Sequence, residues 1–194
     1  TGNVEKEKEL ESVIRKYKMR AVGPNCLGIL DTYSGVDTIF NPHYRLNRPS
    51  KGPISFVSQS GALGAAVLDW AHSELVGMSK FISYGNGVDL RVSDLIDYLG
   101  DDDTTKAIAL YLEGLVDGKK FIDVCSRVSR KKPIVALKAG RSESGSKAAM
   151  SHTGSLAGTA KVFSGVFRQC GVIEVNDIDE LFDFSRILAY QKPL

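Results

Sequence analysis

Residues 53–68 read Pro-Ile-Ser-Phe-Val-Ser-Gln-Ser-Gly-Ala-Leu-Gly-Ala-Ala-Val-Leu. Ile54 to Ser58 is a short apolar run behind a proline, the pattern of a buried strand. Ser60 and Gly61 then open a helix of small residues that runs to about Val76. The same rhythm repeats downstream: Phe81 to Tyr84 before Ser93 to Leu99, Ala107 to Leu112 before Lys119 to Arg130, and Ile134 to Lys138 before a helix near Ser155 to Gln169. Val172 to Val175 before Ile178 to Tyr190 completes five strand–helix units. Parallel neighbours need long crossovers, and those crossovers are right-handed, so this spacing predicts a flavodoxin-like, doubly wound parallel α/β sheet with helices on both faces.

Upstream the pattern is weaker. Leu10, Val13, Ile14 and Tyr17 recur at helical spacing inside the charged run from Val4 to Met19, and a short strand is expected over Arg20 to Val22. A helix and one strand cannot bury that stripe, so residues 1–31 read as the end of another domain. Residues 32–50, with Pro42, Pro49 and little periodicity, read as an irregular connection, and 51–194 as the regular domain. The chain opens at Thr1 without an initiator Met, and we expect a piece of a longer protein.

Composition narrows the function classes. With 194 residues, 43% hydrophobic and 25% charged, the chain can build a core and is not a disordered polymer. Lys plus Arg 25 against Asp plus Glu 23 leaves a net charge of +2, so no broad footprint for nucleic acid or an anionic membrane exists and any anion binding is local. The longest uncharged stretch, Gly52 to Leu68, is broken by Pro, Ser, Gln and Gly, which excludes a membrane span. Cys26, Cys125 and Cys170 stand far apart, without a C-x-x-C; this supports neither a disulfide framework nor a thiolate metal site, and a reducing cytoplasm is the expected compartment.

The unusual residues follow the strands, where ligands bind in open α/β sheets. They are Ser58-Gln59-Ser60-Gly61-Ala62, Tyr84-Gly85-Asn86-Gly87, Glu113-Gly114 and Lys138-Ala139-Gly140-Arg141. Glycine after a strand often only makes the turn. Small residues after Ser60, however, leave the first helical amides accessible, and such a helix start is a ready phosphate site; Ser60 as a plain N-cap is an equal alternative. A hydrolase elbow is not supported, since the leading glycine of G-x-S-x-G is missing. His43 and His72 read as packed or solvated side chains. His152 differs: it ends the Gly- and Ser-rich loop from Gly140, just before a helix that Thr153 or Ser155 can cap. There it could carry a phosphoryl group, given a neutral ring and an acceptor on the other nitrogen. Glu113 is the candidate acceptor, with a helix-start acid as its alternative; Arg141 and Lys147 could attract phosphate or simply solvate the loop.

Gly23-Pro24-Asn25-Cys26-Leu27-Gly28, Val57-Ser58-Gln59-Ser60-Gly61-Ala62-Leu63-Gly64, Tyr111-Leu112-Glu113-Gly114 and Ser151-His152-Thr153-Gly154-Ser155-Leu156-Ala157-Gly158, in that order, resemble the NDP-forming acyl-CoA synthetases. Within that family the chain is most similar to the α part of ADP-forming acetate-CoA ligase, with the succinyl-CoA synthetase α subunit more distant. The resemblance implies that residues 1–31 end a Rossmann-like CoA-binding domain and that 51–194 form the succinyl-CoA synthetase-like flavodoxin domain. It implies that His152 is phosphorylated and that Glu113 hydrogen-bonds it. Ser60, Gly61 and Ala62 would hold the phosphate beside Thr153 and Gly154, and Asn25 and Cys26 would lie near the CoA thiol.

The activity so implied is reversible conversion of acyl-CoA, phosphate and ADP to acid, CoA and ATP. It implies an ATP-grasp nucleotide-binding domain or β subunit that brings Mg2+ with the nucleotide, an oligomer, a small carboxylic acid as substrate and no metal site in this chain. The segment alone is expected not to turn over. The alternative is a CoA-sensing, synthetase-like module of a protein acyltransferase; possession of both His152 and Glu113 favours the enzyme.

Overall fold

A computed structural model of the chain describes residues 4–140 and 160–191. Its elements are α1 (Val4–Lys16), β1 (Ile29–Asp31), β2 (Val36–Asp37), β3 (Lys51–Ser58), α2 (Gly61–Ser73), β4 (Met78–Ser83) and α3 (Val92–Asp101). They continue with β5 (Ala107–Leu112), α4 (Gly118–Val128), β6 (Ile134–Lys138), α5 (Ala160–Cys170), β7 (Ile173–Val175) and α6 (Ile178–Tyr190). The sheet runs β2-β1-β4-β3-β5-β6-β7. From β4 to β7 every pair is parallel, and the order reverses at β3, the doubly wound arrangement expected from the spacing.

Side-chain alternation explains why both faces are covered. Val57, Ile108, Leu110, Ile134 and Ala136 point to one face and pack with α3, α4 and α5. Phe56, Ala109, Val135 and Leu137 point to the other and pack with α2 and α6. Central strands buried on both sides read as continuous apolar runs, which is why β5 and β6 have the expected bounds residue for residue. On the α2 and α6 face, Phe182 meets Phe56 edge-on with ring centroids 5.4 Å apart and lies 5.0 Å from Trp70. Close approach of α2 to the sheet needs Gly64, since a Cβ there would stand 2.6 Å from Cζ of the buried Phe81.

Two expectations for the first fifty residues are corrected. Arg20 to Val22 is not a strand: the Ala21 amide donates to Asp89 Oδ2 at 2.7 Å and the Ala21 carbonyl accepts from Leu90 at 3.1 Å, so the 86–90 loop takes these groups instead of a ladder. The helical stripe, which the opening helix and its flanking segment cannot bury by themselves, is mostly uncovered, with Ile14 only 3% exposed but Leu10 at 37%, Val13 at 41% and Tyr17 at 63%. The sheet is mixed, because β1 pairs antiparallel with β4 and with β2, the latter inside the stretch expected to be irregular. No helix among the described residues is long and apolar enough to cross a membrane.

Below the amino-terminal half of the parallel strands lies a buried polar cluster. Ser55 Oγ is 2.7 Å from Ser79 Oγ and 2.8 Å from Thr105 Oγ1. Lys80 Nζ donates to Asp102 Oδ2 at 2.9 Å and Thr104 Oγ1 at 3.0 Å, and Thr105 also donates to Asp102. Partial burial opposes ionisation of Asp102, but hydrogen bonds from Thr105, Lys80 and Thr104 outweigh it and pull its pKa down to about 2. A depressed folded-state pKa adds stability that is complete above the unfolded value, near 4, and is lost as pH falls toward 2. Asp102→Asn should therefore cost about 1–3 kcal/mol at neutral pH. In urea titrations it should also flatten the stability profile between about pH 4 and pH 2; an unchanged acid limb would count against this role.

Candidate functional site

The carboxyl ends of β3, β4 and β5 lie side by side, with Ser58 paired to Ser83 on one flank and to Tyr111 on the other. The three turns that leave these ends are tied together by hydrogen bonds. Gln59 N donates to Tyr111 O at 3.1 Å, and Tyr84 N donates to Ser58 O at 3.1 Å. The Gln59 side-chain oxygen accepts from the Glu113 amide at 2.8 Å and from the Gly114 amide at 3.0 Å. One side chain thus anchors the turn that carries the candidate carboxylate next to the start of α2.

That start has the form expected of an anion site. Ser60 is extended (φ −95°, ψ 122°), and its Oγ accepts from the Leu63 amide at 3.3 Å, so the serine is an N-cap. Accepting that bond leaves its O–H free to donate. The amides of Gly61 and Ala62 belong to the first turn, whose N–H groups have no intrahelical acceptor, and the helix dipole favours an anion there. Gly61 is half-buried and Ala62 exposed, so both are reachable.

Glu113 is half-buried, and its charge is felt by several neighbours. Burial and the Glu113 charge push the phenols of Tyr84 and Tyr111 up from their ordinary values. Burial pushes Lys138 down, opposed by Glu113. Lys138, at the end of β6, is buried, donates to Ala139 O and stands 4.8 Å from the Phe163 ring centroid. Gln59 and Lys138 stand among the polar residues at the strand ends, but residue type alone assigns neither of them a role. The available signal was polar residues ending apolar strand runs.

The Gly23–Gly28 segment reaches the same rim. Leu27 N donates to Ser83 Oγ at 3.0 Å, Asn86 N to Pro24 O at 3.0 Å, and Asn25 Nδ2 to Asn86 Oδ1 at 3.2 Å. The contact requires Gly85, which has φ +55° and where a Cβ would come within 2.2 Å of Pro24 O. Burial raises the Cys26 thiol pKa, and its Sγ lies 3.7 Å from Val22 O, as suits a thiol and not a thiolate nucleophile. The structure brings Asn25, Cys26, Ser60, Gly61, Ala62 and Glu113 to one end of the sheet. His152, Thr153 and Gly154, with Arg141 and Lys147, lie outside the described residues. The other histidines have local partners: His72 Nδ1 is 2.9 Å from Arg48 O, and His43 Nε2 is 3.2 Å from Asp37 Oδ2.

Residues 51–188 match the family described as the succinyl-CoA ligase like flavodoxin domain. The chain belongs to that family. Over 97% of its length it is 50% identical to acetate–CoA ligase [ADP-forming] II subunit alpha of Pyrococcus furiosus, of which it covers 40%. Over 96% of its length it is 48% identical to acetate–CoA ligase [ADP-forming] I of Archaeoglobus fulgidus, of which it covers 27%. Among solved structures it superimposes with a TM-score of 0.91 and 40% identity on acetyl-coenzyme A synthetase 1 of Ca. Korarchaeum cryptofilum in complex with phosphate and ADP, covering 98% of this chain and 41% of that one. This ligase-like chain therefore spans less than half the length of these relatives.

The Gln59 anchor can be tested without turnover. Gln59→Ala removes the acceptor of two main-chain amides and should destabilise the domain by about 1–3 kcal/mol. Hydrogen exchange at Glu113 and Gly114 should accelerate, while Gln59→Glu, which keeps an acceptor oxygen, should retain most of the protection. Unchanged exchange in Gln59→Ala would show that the bond does not hold the turn.

Proposed function

We propose that this chain is the histidine-bearing part of an ADP-forming acyl-CoA synthetase, with acetyl-CoA as the substrate of first choice. The observation that carries the reading is the Gln59 linkage, which sets the Glu113 turn beside the Ser60–Ala62 helix start. Similarity to the ADP-forming acetate–CoA ligases over nearly the whole chain supports it.

In this reading inorganic phosphate attacks the thioester carbonyl, the C–S bond breaks, and acyl phosphate and CoA result. The free ring nitrogen of His152 then takes the phosphoryl group, the P–O bond to the acyl oxygen breaks, and the carboxylate leaves. Phosphohistidine passes the group to the terminal oxygen of ADP, giving ATP. Glu113 accepts a hydrogen bond from the N–H of the ring, which sets the tautomer and stabilises the cation that forms on phosphorylation. The amides of Gly61 and Ala62 and the hydroxyl of Ser60, with the turn at Thr153 and Gly154, neutralise the phosphoryl oxygens. Asn25 and Cys26 border the thiol end of CoA, at the close of a CoA-binding domain that ends near residue 31. Nucleotide and Mg2+ belong to an ATP-grasp domain or partner subunit, and a covalent carrier lets the two distant centres share one phosphoryl group.

The full-length enzyme with its nucleotide-binding part, given ATP labelled in the terminal phosphate, should acquire acid-labile, base-stable label on His152, and His152→Asn should acquire none. Label retained in His152→Asn would refute the assignment. Glu113→Gln should fold normally and take label more slowly, by up to about 10⁴-fold, as expected when the carboxylate that orients a histidine becomes an amide. An unchanged labelling rate would remove its orienting role.

A further inference from the structure

Tyr84 follows β4 directly and is 3% exposed. Among the described residues its hydroxyl is the only buried side-chain polar atom without a hydrogen-bond partner. A buried hydroxyl in that condition costs about 1–3 kcal/mol, and phenylalanine would fill the same volume without the cost. The fold does not require the oxygen: the main chain of Tyr84 is held by Ser58 O and by the Gly87 amide, and its ring packs in the apolar cluster with Ile82 and Val92. An orphan hydroxyl kept in a core calls for an acceptor that binds.

The surroundings say which acceptor. Tyr84 lines a cleft of about 320 Å³ together with Gln59 and Gly114, the partners that anchor the Glu113 turn. The first residues of α3 border the same cleft, and Val92, Leu115 and Val116 give it an apolar part. Burial and the Glu113 charge hold the phenol protonated, so it carries a proton to donate to a ligand oxygen. Charged side chains line the rest of the cleft, and among them Arg20 pairs with Asp89 and Lys120 with Asp94; the buried neutral donor beside Val92 and Leu115 suits a carbonyl or carboxylate bearing a small alkyl group. The phosphoryl group has the amides of α2 instead.

Resting on the ligase reading above, we propose that the Tyr84 hydroxyl is a substrate-binding group that donates a hydrogen bond to an acyl oxygen, in thioester or acyl phosphate, held in the cleft between the 84–94 loop and residues 114–120.

The test compares wild type with Tyr84→Phe in the full-length enzyme and its nucleotide-binding part, through two half-reactions and a melting curve. Labelling of the histidine by ATP, which needs no acyl group, should stay within about twofold of wild type. Discharge of the phosphoenzyme by acetate and CoA should lose about tenfold in kcat/KM for the acid, the loss expected for one hydrogen bond to an acyl oxygen. The melting midpoint should not fall, because the oxygen has no partner in the fold. Unchanged discharge, an equal loss in both half-reactions, or a lowered midpoint would each overturn the proposal; the second would place the hydroxyl at the phosphoryl site and the third would make it structural. Wild-type enzyme that takes no label would defeat the ligase reading, and this proposal with it, a result separate from any effect of the variant.

Discussion

Two amides on one turn bonded to one side-chain oxygen hold the site in register: Glu113 and Gly114 both donate to Gln59. In a doubly wound sheet each strand hands its chain to a different helix, and nothing in the ladder itself fixes how the departing turns sit relative to each other. Gln59 supplies that constraint between the two neighbouring strands at the switch point, β3 and β5. Its consequence is chemical. A helix start that favours negative charge and a carboxylate that favours a proton or a cation are kept as neighbours, which is the environment a transiently phosphorylated imidazole needs.

The rim and the base of the sheet divide the work. At the base, Lys80 and Asp102 are paired and the hydroxyls of Ser55, Ser79 and Thr105 satisfy one another, so the polar groups there are spent on holding β3, β4 and β5 together. At the rim, Tyr84 keeps an unpartnered hydroxyl, Lys138 is buried and faces the charge of Glu113, and Ser60 keeps a proton it can donate.

Much of this was legible in the residues. The apolar runs of β5 and β6 and the pattern of α6 predict their bounds, because burial on both sheet faces leaves few alternatives. Glu113 reads as a rim residue because it ends such a run. What could not be read depends on distant partners. β1 and β2 are too short to carry a pattern and exist through pairing, β1 with β4 and β2 with β1. Arg20 to Val22 looks like a strand until Asp89 takes the Ala21 amide. The role of Gln59 and the orphan state of Tyr84 follow from contacts across more than twenty residues of chain, and no local spacing encodes them.

The most direct measurement is a crystal structure of the full-length protein trapped as its phosphoenzyme. The phosphoryl oxygens should lie within hydrogen-bond distance, about 2.7–3.2 Å, of the Gly61 and Ala62 amides, with the other ring nitrogen facing Glu113. A phosphoryl group seated away from the start of α2, with Glu113 turned elsewhere, would contradict the assembly of the site described above.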